Sequence, residues 1–469
     1  MVYYYINHFN LPSEEPISVM GMAQFEIITE IGSTMSDKLL NHCHTFLQQH
    51  CNFEEPVLIA LSGGPDSLAL LHLLLELQPT TKFGIAHVDH GWRLESGAEA
   101  EQLALLAETL NIPFHLLKLD PNRMSGNLEE SCRKERLRFF AQLCKTYHYQ
   151  AVILAHHAND QAETVLKRIL EGAALTSLAG LQPVTQMNDL DLVLWRPLLK
   201  ATKADILQWL DQKKIEAFQD KTNVDPKYLR GRFRTEIIPY LSQSFGKEIE
   251  NNLCHLAQEV EELQHHFRRK CQLLDIESDR NKERIYINVQ SQQNIEPFEL
   301  KMMLKELFKV YQLPLSRQQL TAIVSLLMEN RSNKKFLLGG YQLIIDRRQL
   351  FILKAMKQLS QMNMPLQIGC YGNWNINLTP VAKPLEQKSG WKQVWRGRVE
   401  ISLPAGNYHL APPNSALVKR WSKQKIPAFL RNAVPVIWEG DLVKHEFLSE
   451  CSADHGSCDQ WLHVTIREI

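Results

Sequence analysis

The chain carries no excess of charge of either sign. Its 469 residues include 52 lysines and arginines and 52 aspartates and glutamates. A neutral total gives no overall basic surface, so any binding of nucleic acid requires local positive charge. Long apolar runs are also missing, since the apolar stretch at residues 68–77 is short and is interrupted by His72 and Glu76. A membrane helix needs about 20 apolar residues, so we expect no membrane span.

Paired cysteine motifs are absent as well. The nine cysteines are scattered and form no CxxC pair, which gives no disulfide framework and predicts reduced thiols in a cytoplasm. The densest group is Cys451, His455 and Cys458. It offers three ligands near the chain end without partners at zinc spacing, so we predict no metal site there and leave its role open.

The most informative stretch, residues 57–77, is an apolar run, a polar loop and a second apolar run. The loop reads Ser-Gly-Gly-Pro-Asp-Ser at residues 62–67. The glycines permit a sharp turn close to a ligand, and Pro65 suits a first helical turn because it has no N–H. The free N–H groups at this positive helix end favour an anion. A Walker loop is excluded, because no GxxxxGK[ST] supplies a lysine; the alternative is an ordinary turn capped by Asp66.

Strand and helix patterns alternate around this loop. We predict strands at residues 57–61, 82–88, 113–119 and 151–155, and helices at residues 36–50, 65–77, 96–110 and 127–147. Such alternation predicts a parallel sheet with helices on both faces. Ligands of these sheets bind at the carboxyl ends of the strands, which is where SGGPDS, HVDHG (residues 87–91) and AHHANDQAET (residues 155–164) lie.

The third of these motifs combines two histidines with an acidic residue at a helix start. Asp160 could bind Mg²⁺ or only cap the helix. His156 and His157 could be metal ligands or acid–base groups. Because adjacent side chains at a strand end point to different sides, we expect at most one of them to be functional.

Two groups of arginines flank this motif in sequence. They are Arg133, Arg136 and Arg138, followed by Arg230, Arg232 and Arg234. The first two of the first group share one helix face, and the second group alternates as in an extended lead-in to a helix. Clustered arginines clamp phosphates, neutralise an adenylate or contact a nucleic-acid backbone. The alternative is a solvated charged surface.

The rest of the chain is patterned less densely. Apolar residues at steps of three and four from residue 249 to 274 predict one long amphipathic helix, either a homodimer seam or, as we prefer, a helix packed on its own chain. Two further helices (297–311 and 316–328) and a hairpin (341–353) predict a small helical middle domain.

The C-terminal part combines strands with a basic helix. Residues 390–403 alternate like strands. Beyond them, basic residues surround Trp421: Lys419, Arg420, Lys423 and Lys425. A basic helix with an aromatic residue suits phosphate and base contacts, and the alternative is ordinary solvated surface.

Several of these blocks resemble one protein family. SGGxDS resembles the phosphate loop of the N-type ATP pyrophosphatases. The blocks HVDHGWR, LEESCRKERLRFF, LAHHANDQAETVLKRILEG and DKTNVDPKYLRGRFRTEIIPYL are similar, in the same order, to those of the tRNA(Ile)-lysidine synthetases. The resemblance is dense over residues 57–241, and residues 339–341 and the basic C-terminal stretch extend it. Gly231 departs from it, because the family commonly has Arg-Asn-Arg where this chain has Arg-Gly-Arg.

The resemblance implies a reaction with its substrates and cofactors. Such an enzyme is a carbon–nitrogen ligase that uses ATP and Mg²⁺ to adenylate the wobble cytidine of tRNA(Ile) with a CAU anticodon. Free L-lysine then displaces AMP and leaves lysidine.

It also implies roles for particular residues. The ATP-binding set is Ser62, Gly63, Gly64, Pro65, Asp66 and Ser67. Asp66 and Asp160 would hold Mg²⁺. The catalytic candidates are Asp66, Asp160, Asp89 and His87. Adenylate or tRNA contacts would come from Arg133, Arg136, Arg230, Arg232, Arg234, Lys419, Arg420 and Lys423.

The predicted architecture has three domains behind an N-terminal extension. Residues 1–35 lack a basic segment followed by an apolar core, so they are no secretory signal; we interpret them as a disordered tail or a start-site artefact. An α/β parallel-sheet ATP-pyrophosphatase domain follows at residues 36–245. A helical domain (246–360) and an α+β tRNA-binding domain (375–469) complete the chain.

Two other functions fit the loop less well. A tRNA thiolase shares the adenylation step but needs cysteines to carry sulfur, for which Cys132 and Cys144 are the candidates. A non-catalytic RNA-binding protein would use the fold only as a scaffold, and the intact Ser62, Asp66 and Ser67 argue against it.

Overall fold

A computed structural model describes most of the chain. The described residues are 35–78, 81–91, 96–120, 128–217, 229–278, 284–290, 294–313, 315–354, 363–372, 374–384, 389–449 and 460–468. The predicted N-terminal extension up to residue 34 and the group Cys451, His455 and Cys458 lie outside them. The chain divides into two compact units between Gln264 and His265. The predicted domain boundaries at 245, 360 and 375 stay predictions.

The first unit alternates helices and strands, as the sequence predicts. Its helices are α1 (Met35–His50), α2 (Pro65–Leu77), α3 (Ser96–Thr109), α4 (Leu128–Tyr147), α5 (Ala158–Leu170), α6 (Lys203–Lys213), α7 (Leu229–Arg232) and α8 (Ile238–Phe245). Its strands are β1 (Val57–Ala60), β2 (Phe83–Asp89), β3 (Phe114–Lys118), β4 (Val152–Ile153), β5 (Val184–Met187) and β6 (Leu192–Trp195).

These six strands form one sheet in the order β3-β2-β1-β4-β6-β5. All neighbours run parallel except the edge pair of β5 and β6. Strand β1 is apolar throughout because both of its faces are covered. Val57 and Ile59 belong to the core that includes Leu70 of α2, whereas Leu58 packs in a second core with Phe140 of α4. The sheet thereby fixes the end of β1, where the phosphate loop begins.

Helix α9 (Ile249–Cys271) is the predicted long amphipathic helix. Its apolar side is buried within its own chain: Leu253 and Ala257 join a core that contains Val165, and the Cys271 thiol donates to the Met303 carbonyl at 3.4 Å. These side chains are not available to a dimer seam. The homodimer therefore stays a prediction that this helix does not support.

The second unit begins with more strand than predicted. Strands β7 (Asp275–Ser278), β8 (Arg284–Asn288), β9 (Lys334–Leu338), β10 (Tyr341–Asp346) and β11 (Gln349–Lys354) form an antiparallel sheet in the order β7-β8-β11-β10-β9. Helices α10 (Pro297–Val310) and α11 (Arg317–Met328) accompany it. The hairpin of β10 and β11 turns at Arg347 and Arg348, both with positive φ. The sequence predicts only the hairpin of β10 and β11 in this part of the chain, because short edge strands such as β9 carry too little alternation to stand out.

The C-terminal part contains two four-stranded sheets. Their strands are β12 (Met364–Pro365), β13 (Gly369–Tyr371), β14 (Trp374–Val381), β15 (Arg398–Pro404), β16 (His409–Ala411), β17 (Val436–Glu439), β18 (Leu442–His445) and β19 (Trp461–Glu468). The sheet orders are β12-β16-β17-β18 and β13-β14-β19-β15. Two helices, α12 (Trp391–Trp395) and α13 (Ser415–Lys423), complete it. Residues 391–395 are therefore helical rather than extended, since Gly390 with φ 115° permits the turn into α12.

Within the described ranges, no helix is long and apolar enough to cross a bilayer.

Candidate active site at the phosphate loop

The loop between β1 and α2 has the geometry of an anion site. Gly63 has φ 85°, a left-handed conformation that favours glycine. Gly64 is the N-cap of α2, Pro65 occupies the first helical turn, and no side chain caps the helix. The first-turn N–H groups are thus left for a ligand. The Ser67 hydroxyl accepts from the Ser62 N–H at 3.2 Å and donates to the Gly64 carbonyl at 3.0 Å, which fixes the loop from within.

Asp66 lies beside this anion site and is paired with a distant lysine. The Lys203 Nζ donates to Asp66 Oδ1 at 2.5 Å, and both side chains are about one-third exposed. Lys203 is the first residue of α6, and its N–H donates to the Asn159 side chain at 2.9 Å. The cation that the loop itself lacks is therefore supplied from α6. No sequence motif identifies Lys203 as a partner of Asp66.

His157 connects Asp66 with Asp160. Its Nε2 lies 3.7 Å from Asp66 Oδ2 and 3.4 Å from Asp160 Oδ2. The backbone N–H of His157 donates to Asp160 Oδ2 at 3.1 Å. Asp160 therefore does cap the start of α5. The two predicted metal ligands are thereby brought to the same edge of the sheet.

Asp160 is also part of a buried ionic cluster on α5. Arg234 donates to Asp160 Oδ1 at 2.8 Å and forms a very short contact with Glu163. Arg230 lies 4.0 Å from Glu163. Glu163 is almost completely buried, and sequence reasoning missed it because it lies within the predicted helix as an ordinary charged position.

The conformation of the second arginine group differs from the prediction. Residues 229–232 are α-helical and Phe233–Ile237 form a π-helical turn. Arg230 and Arg234 therefore lie on the same side and approach α5, whereas Arg232 is exposed. An extended lead-in would have placed all three on one face, so the alternation in sequence was misleading.

Burial and charge shift the carboxyl groups of this cluster in opposite directions. For Asp160, burial acts to raise the pKa, but His157, His156 and Arg234 outweigh it and the pKa is lowered. For Glu163, burial prevails over Arg234 and the pKa is raised. Two carboxyl groups of unlike acidity on one helix are typical of functional sites.

Two comparisons with known proteins identify the family of this chain. A family model described as a PP-loop domain matches residues 35–241. A tRNA(Ile)-lysidine synthase from Protochlamydia amoebophila is 37% identical over 428 residues, covering 88% of this chain and 93% of the relative. The chain belongs to the tRNA(Ile)-lysidine synthase family.

Other similarities cover about half of the chain. A tRNA(Ile)-lysidine synthase from Chlamydia caviae is 44% identical over 228 residues, covering 48% of this chain and 69% of the relative. Among solved structures, the U34-tRNA thiolase NcsA from Methanococcus maripaludis, which holds a [4Fe-4S] cluster, is 16% identical with a TM-score of 0.40, over 48% of this chain and 80% of the thiolase.

The thiols of this synthase-family chain are poorly suited to sulfur chemistry. Cys132 is buried, and burial raises its pKa. Burial raises the pKa of Cys144 to about 11. A sulfur carrier must be a thiolate at neutral pH, so the two cysteines considered for a thiolase lack the required reactivity.

Two residues of the HVDHG motif contact backbone groups through their side chains. His87 is buried, and its Nδ1 lies 2.8 Å from the Leu61 carbonyl at the start of the phosphate loop. Asp89 accepts from the Gly91 N–H at 2.9 Å. Burial acts to raise the pKa of Asp89, but hydrogen bonds from Ser96 and Gly91 outweigh it and the pKa is lowered. Both residues shape the edge beside the loop.

The first histidine of the AHH motif, His156, has a different environment from His157. Arg196, just after β6, donates from Nε to His156 Nδ1 at 3.1 Å. Arg136 and Arg230 are near enough to lower the pKa of His156, and Arg133 acts on Arg196 in the same way. Arg133 and Arg136 of α4 are thus near this part of the site. Arg196 itself was missed, since a lone arginine after a strand carries no motif.

The basic helix α13 differs from the predicted base-stacking surface. Trp421 is completely buried, and its Nε1 donates to Glu446 Oε2 at 2.9 Å. Arg420 donates to Glu446 Oε1 at 2.8 Å. Lys419 and Lys423 are exposed. Trp421 is therefore a core residue and cannot stack on bases, whereas the lysines remain available to phosphates.

Proposed function

We propose that the chain uses ATP to join free L-lysine to C2 of the wobble cytidine of tRNA(Ile) with a CAU anticodon, giving lysidine, AMP and pyrophosphate. The observation that carries this proposal is the SGGPDS loop, an uncapped helix start beside Asp66, in a chain that matches a tRNA(Ile)-lysidine synthase along nearly its whole length.

The chemistry explains why ATP is needed. The O2 of cytidine is a poor leaving group, so an amine cannot replace it directly. In the first step O2 attacks the α-phosphorus of ATP and the bond to pyrophosphate breaks. In the second step the neutral ε-amine of lysine attacks C2, the C2–O2 bond breaks, and AMP leaves with that oxygen while the amine loses a proton.

The phosphate loop would bind the departing pyrophosphate. The first-turn N–H groups of α2, the Ser62 and Ser67 hydroxyls and the positive helix end provide donors where negative charge develops. Lys203 would contribute a cation to the same place, since it already lies 2.5 Å from Asp66. In a Walker loop this charge comes from within the loop; here it would come from α6.

The residues at this edge fit Mg²⁺. No group of three or more His, Cys, Asp or Glu side chains in the described part of the chain is arranged as a metal cage. Mg²⁺ commonly takes one or two carboxylates together with substrate phosphates, and Asp66 and Asp160 supply those hard oxygen ligands. Asp66 fits better, because each Asp160 oxygen already accepts a hydrogen bond. The ion would neutralise phosphate charge when bound.

Asp160 is the best supported of the candidates for receiving the proton of the lysine amine. His87 Nδ1 contacts the Leu61 carbonyl, and Asp89 accepts a hydrogen bond from the Gly91 N–H. Asp160 lies with Asp66 at the edge where the phosphate loop opens. Its carboxylate would attract the lysine ammonium to this edge. It would accept a proton from the amine as the bond to C2 forms, because the nitrogen becomes acidic at that point.

Arginines and lysines would hold the remaining phosphates. Arg133, Arg136 and Arg230 surround the His156 side of the site and suit the adenylate. Lys419 and Lys423, with Arg420, present positive charge on α13 to the tRNA backbone. Arg232 and Arg234 differ in their availability to tRNA. Arg232 is exposed and would contact tRNA, whereas Arg234 already pairs with the Asp160 and Glu163 carboxylates. We place the reaction in the cytoplasm, where tRNA, ATP and lysine occur together.

The test is incorporation of radiolabelled lysine. Unmodified tRNA(Ile) with CAU, ATP and Mg²⁺ are incubated with the protein, and elongator tRNA(Met) with the same anticodon is the matched control. We expect ATP-dependent label in tRNA(Ile) only, with one AMP per lysine. Label in neither tRNA, or equal label in both, would contradict the proposal.

A further inference from the structure

Arg196 is a buried cation with neutral partners. It is 6% exposed, and its Nη1 donates to the Gln182 carbonyl at 2.7 Å and to Thr185 Oγ1 at 2.9 Å. Its Nε donates to His156 Nδ1. No described carboxylate lies within ion-pair distance of it. A buried charge without a counter-charge is unfavourable, so the site is electrostatically prepared for an anion.

This arrangement determines the tautomer of His156. A guanidinium has only donors, so His156 Nδ1 must accept and cannot carry a proton. In the neutral ring the proton is therefore on Nε2. The hydrogen bonds of Arg196 to residues 182 and 185 hold the guanidinium itself in place, which makes it a rigid support for the ring.

The same surroundings keep the ring neutral. Burial, with Arg196, Arg230 and Arg136 assisting and only Asp160 opposing, lowers the pKa of His156 to about 3. His156 therefore cannot exchange protons at neutral pH. What remains is a fixed N–H donor at the carboxyl end of β4, next to the strand that carries the phosphate loop.

We propose that His156 donates from Nε2 to a non-bridging oxygen of the nucleotide's α-phosphate during adenylation, and that Arg196 is the positioning residue that fixes this donor. The inference rests on the proposed function. The loop at residues 62–67 would bind the pyrophosphate, so the next phosphate along the nucleotide needs donors elsewhere at the same edge. On the His156 side, Arg196 lies within ion-pair distance of no described carboxylate. The proton stays on Nε2 throughout, and no bond to the ring forms.

A tRNA backbone phosphate would present the same oxygen chemistry, and the test separates the two. We would measure the single-turnover rate of AMP transfer from ATP to tRNA(Ile) without lysine, and separately the Kd for tRNA. Loss of one oxyanion donor costs about 10²–10³ in rate. His156→Ala is expected to lose about that factor with Kd unchanged, and His156→Gln, which keeps a donor near Nε2, is expected to recover most of it.

The matched control is Arg168→Met. Arg168 is a half-buried arginine of the same unit that is also bonded to backbone carbonyls, those of Ser177 and Gly180, so its variant reports the structural cost of losing such a residue. We expect Arg196→Met to slow transfer about tenfold and Arg168→Met to leave the rate nearly unchanged.

A double-mutant cycle distinguishes positioning from structure. Glutamine needs no tautomer to be fixed, so Arg196→Met should have little further effect in a His156→Gln background. Additive losses would overturn the role of Arg196. A raised tRNA Kd with an unchanged rate in His156→Ala, or no effect at all, would overturn the role of His156. Absence of transfer by the wild-type protein would instead contradict the proposed function.

Discussion

Each unit contains a carboxylate–cation pair, and the two carboxylates differ in their exposure to solvent. We expect the more exposed carboxylate to act in the reaction and the buried one to stabilise the fold. Asp66 and Lys203 are 30% and 31% exposed and lie beside an uncapped helix start. Glu446 is 3% exposed and its partner Arg420 is 51% exposed. The Asp66 carboxylate can exchange its partner for a ligand. The Glu446 carboxylate also accepts from Trp421, Leu448 and Ser449, so it holds the core of its unit.

The largest expected effect is on Asp66. Asp66→Asn keeps the shape of the side chain but removes the charge that, in the proposed function, faces the phosphates and Mg²⁺. We expect at least a 10³-fold loss of adenylation, with nearly unchanged tRNA binding and thermal stability, because the side chain is partly exposed. AMP transfer and a filter-binding assay measure the two quantities. Substantial turnover by this variant, or by Asp160→Ala, would contradict the role given to that residue.

The next effect distinguishes Arg234 from Arg232. Arg234→Met leaves Asp160 and Glu163 without their cation in a buried place, which costs about 3 kcal/mol of unfolding free energy. Arg232→Met changes an exposed residue two positions away and should cost less than about 0.5 kcal/mol. Urea unfolding of the two variants provides the comparison. Equal free energies of unfolding in the two variants would show that the ion pairs of Arg234 contribute no stability.

We expect variants of Glu446 to lose stability but not activity, which is the opposite of the result expected for Asp66→Asn. Glu446→Leu leaves buried N–H donors unsatisfied and should destabilise the protein by about 3 kcal/mol, with Glu446→Gln milder because one acceptor remains. AMP transfer by folded protein should be unchanged.

The pH dependence of Glu446 adds a second measurement. Burial acts to raise its pKa, but the donated hydrogen bonds outweigh this and the pKa is lowered from 4.5. The carboxylate therefore contributes stability that is fully present above pH 4.5 and is lost as the pH falls below it. Between pH 6 and 3, the free energy of unfolding should fall less steeply with decreasing pH in Glu446→Gln than in the wild type. Parallel curves of unfolding free energy against pH would contradict this role of Glu446.

The smallest expected effect is at the exposed lysines of α13. Lys419→Gln and Lys423→Gln each remove one candidate phosphate contact, so tRNA Kd should rise a few-fold and the salt dependence should weaken by roughly one counterion each. Lys444 is the control, since it pairs with Glu439 at 3.1 Å. Loss of affinity in Lys444→Gln alone would move the tRNA surface away from α13.

These contrasts also show what sequence could predict. The strand–loop–helix order at residues 57–77, the order of the parallel strands' motifs and the hairpin at residues 341–353 follow from local rules, and the structure confirms them. The orientation of Arg234 and the burial of Trp421 could not be predicted, because they depend on a π-helical turn and on Glu446, which lies 25 residues from Trp421 in sequence. Lys203 reaches Asp66 across 137 residues, and no local pattern predicts such a pair.

The central claim is that the edge containing Asp66 activates the tRNA itself. The most direct measurement is transfer of label from α-³²P-ATP to tRNA(Ile) in the absence of lysine, followed by addition of unlabelled lysine. The account predicts labelled AMP attached to the wild-type tRNA substrate, its release when lysine is added, and no transfer by Asp66→Asn. Label that appears on lysine rather than on tRNA, or undiminished transfer by Asp66→Asn, would contradict it.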